Sequence, residues 1–275
     1  MNALVSRNKP LGFRRYPASN NSALLSIPRG GFNLATTTAA ATSAVVGLHG
    51  GLLLVNPNGV LRKIYQLQPS PKPEDDELSK ILMRSIGCVS IGFAISLFLS
   101  VVLEKSKQVA VAFGLVPRLL CFMWILARHR RTPFLVINTI MGWWCTFALL
   151  KGLSVARRTW RIFSTISMIM GLSLVVAQRA GASRFLGFNN IGDKPQALSK
   201  AFGSEVATCS LFMGSMALGV SPVRAAAYSY MLWIGFLADM AWRDKTWKLM
   251  DDGIRTQYIQ MVISALFATG FFLSY

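Results

Sequence analysis

Long apolar runs separated by short clusters of charge, glycine and proline set the pattern of this chain. Eight stretches read as helices, at about 34–55, 78–103, 109–127, 133–153, 160–178, 198–218, 222–242 and 254–273. Each carries close to the ~20 residues that a helix needs to cross a hydrocarbon core of roughly 30 Å. The expectation is an all-α fold, a polytopic membrane bundle of eight transmembrane helices.

Two of these stretches organise the rest. Leu78 to Leu103 and Leu198 to Leu218 both open on Leu-Ser-Lys, 120 positions apart. Gly87, Ser90 and Ala94 in the first answer Ala207, Ser210 and Gly214 in the second, and the second seam runs from Gly203 to Ala217. Small residues at this spacing let helices approach closely in lipid, where dispersion contacts replace the hydrophobic drive. Other matches follow in the same order. Gly51 to Val55 resembles Gly171 to Val175, Trp124-Ile125 matches Trp233-Ile234, and Arg131-Thr132 matches Arg255-Thr256. The shared order predicts a four-helix unit at 34–153 repeated at 154–275. An even number of helices per unit makes the two copies parallel.

The connections carry their own signals. Asn56-Pro57-Asn58-Gly59 is turn chemistry that ends the first helix. Val60 to Tyr65 reads as a short interfacial helix, and Glu74 to Glu77 places negative charge at a helix N-terminus. Residues 1–33 hold Arg7, Lys9, Arg14, Arg15 and Arg29, with no acidic residue before Glu74. Such a basic, serine-containing stretch predicts an import leader for a mitochondrial or plastid membrane; a basic tail is the alternative. With the leader set aside, the connections after odd-numbered helices hold 15 Lys and Arg and the others 7, which puts the former on the positive side.

Composition agrees with the pattern: 53% hydrophobic, 15% charged, mean hydropathy +0.44. The net charge of +18 lies mainly in loops and leader. Its expected partners are therefore the lipid bilayer and other membrane-protein subunits, not nucleic acid. Cys88, Cys121, Cys145 and Cys209 fall inside apolar runs, without a CxxC pair or a histidine at zinc spacing, and read as buried thiols. No metal or cofactor is expected. A bis-histidine haem is not expected either, because His49 lies in a span and His129 in a basic loop.

Ionisable groups inside spans are costly and are candidates for function. Arg118 lies midway along the third helix, directly after Pro117, and calls for a partner; Asp239 and Glu205 are the acidic choices in other spans. Arg84 and Glu205 read as lying near the starts of their helices, and Asp239 near the end of the seventh beside Trp242 and Arg243. His49, beside three glycines, reads as a packing histidine or a ligand. No serine-nucleophile, zinc-protease, P-loop or dinucleotide motif stands in a suitable context.

Arg84 followed by Gly87 in a small-residue helix, with four helices to the unit, resembles the DoxX-like small membrane proteins. The second copy departs from that pattern with Ser204 and Ala207. The resemblance implies a fold only. The leading expectation for function is a non-enzymatic subunit or assembly factor of a membrane complex. A small-solute or anion carrier with a site between the halves, lined by Arg118, Glu205 and Asp239, is the alternative, and a membrane enzyme acting on lipid or quinone is a third.

Overall fold

A computed structural model describes residues 33–65, 72–128, 132–187, 191–243 and 253–274. Residues 1–32, 129–131 and 244–252 are among those outside the described residues, and with them the expected import leader and the basic loop of His129. Among the described residues there is no strand.

The helices are α1 (Leu34–Val55), α2 (Pro57–Lys63), α3 (Pro73–Leu97), α4 (Lys107–Arg128), α5 (Pro133–Leu150), α6 (Ala156–Gly181), α7 (Asp193–Ala217), α8 (Pro222–Trp242) and α9 (Gly253–Phe272). Single π-helical turns continue α3 through Val102 and α6 through Leu186. Within α6 the backbone breaks at Gln178, whose φ is 30°. Side-chain caps mark several starts: Asn33 accepts from the Thr36 N–H at 2.8 Å, Asn56 from that of Gly59 at 2.9 Å, and Thr132 from that of Leu135 at 3.2 Å.

Five helices are long and apolar enough to cross a membrane: α1, α3 with its π turn, α4, α5, and α6 with its π turn. α7 and α8 do not reach that apolarity, and α9 has a shorter apolar stretch, Tyr258–Phe272. The lipid-like surface is plain on the first group. Leu48 and Val55 on α1, Ile140 on α5 and Val176 on α6 are large apolar side chains at least 64% exposed.

α3 and α7 pack against each other at the centre. α1 and α4 flank α3, and α6 and α8 flank α7; α5 lies between α4 and α6, and α9 between α8 and α1. The two central helices run in the same direction, because their starts are tied together. Asp75 accepts from the Gly192 N–H at 3.2 Å, and Lys194 pairs with Asp76 at 2.7 Å.

Glycine permits the tightest crossings. A Cβ added at Gly50 would stand 2.7 Å from the Gly87 carbonyl oxygen, and one at Gly87 would stand 2.6 Å from that of Gly50. α6 and α7 meet the same way, Gly171 against Gly203 and Ala207. The opposite end of α7 is also tied. Arg157 and Arg161 donate to the Ala217 carbonyl at the C-terminus of α7, where cations suit the helix dipole. Lys107 bridges to the carbonyls of Gly219 and Val220.

The starts of α3 and α7 correct two expectations. Both helices begin five residues before the apolar pattern does, because Pro73 with Glu74–Asp76, and Asp193 with Pro195, are suited to a first helical turn. Arg84 and Glu205 therefore sit well inside their helices, not near the ends.

Candidate functional site: a cavity beside the central helices

A cavity of about 190 Å³ opens where α1, α3, α7, α8 and α9 converge. Its wall is mostly apolar, with Val45, Met83, Ile86, Leu198, Leu237 and Ile263 among the lining residues. Polar groups come from each neighbour: His49 on α1, Tyr65 after α2, Ser90 on α3, Glu205 and Thr208 on α7, Tyr230 on α8, and Gln260 and Ser264 on α9. α1 and α9 touch at the far end, where a Cβ on Gly270 would meet the Thr38 hydroxyl at 2.7 Å.

Glu205 lies 12 positions from the start of α7, roughly 18 Å along the axis at ~1.5 Å per residue. Its carboxylate accepts from the Ser90 hydroxyl at 3.3 Å. Among the described residues no Lys, Arg or His forms an ion pair with it.

At the side of the cavity nearer the α7 start, a hydrogen-bonded chain crosses from α1 to α9. The Gln260 amide donates to Tyr65 Oη at 3.3 Å, and Tyr65 Oη stands 3.4 Å from His49 Nε2. Tyr65 itself is 7% exposed. Burial pushes its phenol up to about 12; the Gln260 hydrogen bond opposes the shift and the Glu205 charge adds to it. Thr256 ties the same corner, donating to the Ile64 carbonyl at 2.8 Å.

An aromatic wall continues inward. Phe93 meets Tyr230 edge-on at 5.9 Å between ring centroids, and Tyr230 meets Phe267 at 5.8 Å. Trp233 also lines the cavity.

Of the five ionisable candidates read from the sequence, the fold brings Glu205 and His49 to this cavity and leaves the other three elsewhere. Arg118 is 3% exposed, and neither acidic candidate pairs with it. Its guanidinium lies 5.1 Å from the Phe122 ring and 5.5 Å from that of Phe163, and it donates to the Ser167 hydroxyl at 3.1 Å. Nε and Nη1 have no hydrogen-bond partner among the described residues. Ring faces supply part of what a carboxylate would have supplied. Asp239 pairs instead with Lys200 at 2.6 Å, with Arg243 at 4.0 Å. Arg84 lies over the Trp124 ring at 5.6 Å.

Lys200 was missed as a buried charge, because its place in the repeated Leu-Ser-Lys made it a mark of duplication. Tyr65, Tyr230, Trp233 and Gln260 were missed as site residues because their sequence signal, polar or amphipathic side chains in apolar runs, is shared by many packing residues. The four cysteines are free and buried. Cys209 lines both the cavity and a small recess beside Arg118. Among the described residues no three His, Cys, Asp or Glu side chains gather as metal ligands. No family model matches this chain, and neither a curated protein nor a solved structure matches it.

Proposed function

We propose that this chain is an eight-helix membrane protein of two parallel four-helix units, and that the cavity between the units holds a small solute, as in a carrier. The order of helix packing supports the two units. α1 on α3, α3 on α4 and α4 on α5 recur as α6 on α7, α7 on α8 and α8 on α9, and α5 on α6 answers α9 on α1. α7 falls short of the others in apolarity because it is wrapped by α3, α6 and α8, so most of its side chains meet protein and not lipid. A helix so placed tolerates its many serines, whose hydroxyls bond backbone carbonyls, as Ser204 does with Lys200 at 3.0 Å.

One observation carries the carrier reading. Glu205 presents a carboxyl group to a cavity between the units, midway along a helix, and among the described residues no cation pairs with it. A polar group so placed is expensive in a membrane unless something uses it. Solute sites at the interface of repeats, near the bilayer midplane, fit that arrangement. The lining differs from the one expected, since Arg118 and Asp239 lie outside it. The subunit or assembly-factor reading gains no feature of its own from the fold, and a lipid or quinone enzyme would use the same cavity. A mitochondrial or plastid membrane remains part of the proposal on the strength of the leader alone, and a DoxX-like ancestry of the unit on Arg84 and Gly87.

The test is native mass spectrometry of the protein extracted gently from its own membranes, compared with Ala201→Trp, which fills the cavity from α7. The carrier reading expects a small molecule on the wild type that the variant loses. A large assembly with reproducible partners and no small adduct would favour the subunit reading.

A further inference from the structure

We infer that the solute is a small organic cation with an apolar body, its charged nitrogen set against the Glu205 carboxylate and its body against the rings of Phe93, Tyr230 and Phe267. This rests on the cavity being a solute site.

Among the described residues, Lys200 pairs with Asp239, Arg118 lies between two rings and Arg84 over a third. His49 stands at the Tyr65 hydroxyl. An anion in the cavity would face Glu205, and a wholly apolar solute would leave its carboxyl group with the Ser90 hydroxyl alone among the described residues. A cation supplies the missing partner.

The wall makes the same choice. Three rings in sequence, in edge contact at 5.9 and 5.8 Å, line the cavity from α3 through α8 to α9. Ring faces attract ammonium groups, and aromatic cages with a nearby carboxylate suit them. The size follows from the volume. A cavity of about 150 Å³ accepts a benzene ring, so 190 Å³ accommodates a ring with a short aminoalkyl chain.

The experiment compares 2-phenylethylammonium with 2-phenylethanol, a neutral molecule of nearly the same shape, by calorimetric titration of the full-length protein in nanodiscs at pH 7. The wild type should bind the cation at least tenfold more tightly. Glu205→Gln should erase that preference while still binding the alcohol, and Glu205→Asp should keep it. Equal binding of both probes by the wild type would leave the cavity as a solute site and overturn the cation inference, as would a preference that survives in Glu205→Gln. Binding of neither probe, or binding unchanged by Ala201→Trp, would overturn the cavity reading together with the inference.

Discussion

Cys209 and Val89 stand 120 residues apart and touch, the Cys209 Sγ lying 3.9 Å from the Val89 carbonyl oxygen. That separation is the offset of the proposed repeat. Residues that meet their own counterparts mark where a two-fold relation between the units would place its axis, and here the contact falls on α3 and α7, the central pair. On the two-unit proposal, the flanks of this pair have diverged. One flank keeps the cavity with Glu205, and the other is filled by Arg118 between Phe122 and Phe163.

Close helix approach gives the sharpest test of the packing. Gly50 and Gly51 are neighbours in sequence, yet a Cβ on Gly50 would stand 2.7 Å from the Gly87 carbonyl oxygen and 2.9 Å from Ile91, while one on Gly51 meets nothing within 4 Å. Gly50→Ala should lower stability in detergent by about 1–3 kcal/mol, the usual cost of overpacking. Gly51→Ala should leave the melting temperature unchanged or slightly raised. Equal effects of the two would contradict the α1–α3 crossing.

Arg118 behaves in this fold as a packing residue. Arg118→Ala should cost about 2–4 kcal/mol through the space it leaves. Arg118→Met, which keeps the length and removes two unpaired buried donors, should cost under about 1 kcal/mol. Because Asp239 pairs with Lys200 and not with Arg118, the losses in Arg118→Ala and Asp239→Ala should add, as they do for separate sites. Thermal melts of the single and double variants measure this, and a double variant no worse than the worse single one would mean that the two groups are coupled.

Tyr65 imposes a limit at alkaline pH. Its phenol is raised from 10.0 to about 12 in the fold. The folded state therefore holds its proton more firmly than the unfolded chain, and the associated stability is complete below pH 10 and lost between about pH 10 and 12. A shift of two units corresponds to about 3 kcal/mol. The difference in stability between wild type and Tyr65→Phe, followed by denaturation from pH 9 to 12, should move against the wild type by that order. A flat difference would mean that Tyr65 is not buried beside Gln260 and His49.

The sequence showed the helices more clearly than the site. Nine of the sixteen boundaries of the eight long helices fell within a residue of the structure, among them both ends of α1 and of α8, because Asn56-Pro57 and Ser221-Pro222 are unambiguous stops and starts. The starts of α3 and α7 were set too late because their first turns are polar, and that displaced Arg84 and Glu205 toward the interface. Ion partners were the least legible part. Which side chain meets Arg118 depends on how α6 lies against α4, and nothing in the spacing of either helix specifies that ring faces and a serine, not an aspartate, will be there. Glu205 and His49 were visible as candidates, but that they share a cavity is a product of the fold.

The most direct test is a cryo-EM map of the protein purified from its own membranes into nanodiscs, with a bound antibody fragment to give it mass. The two-unit carrier reading expects compact non-protein density beside Glu205, within the wall formed by Phe93, Tyr230 and Phe267. A cavity closed by the protein's own side chains, with Glu205 paired to a lysine or arginine of the chain, would contradict it.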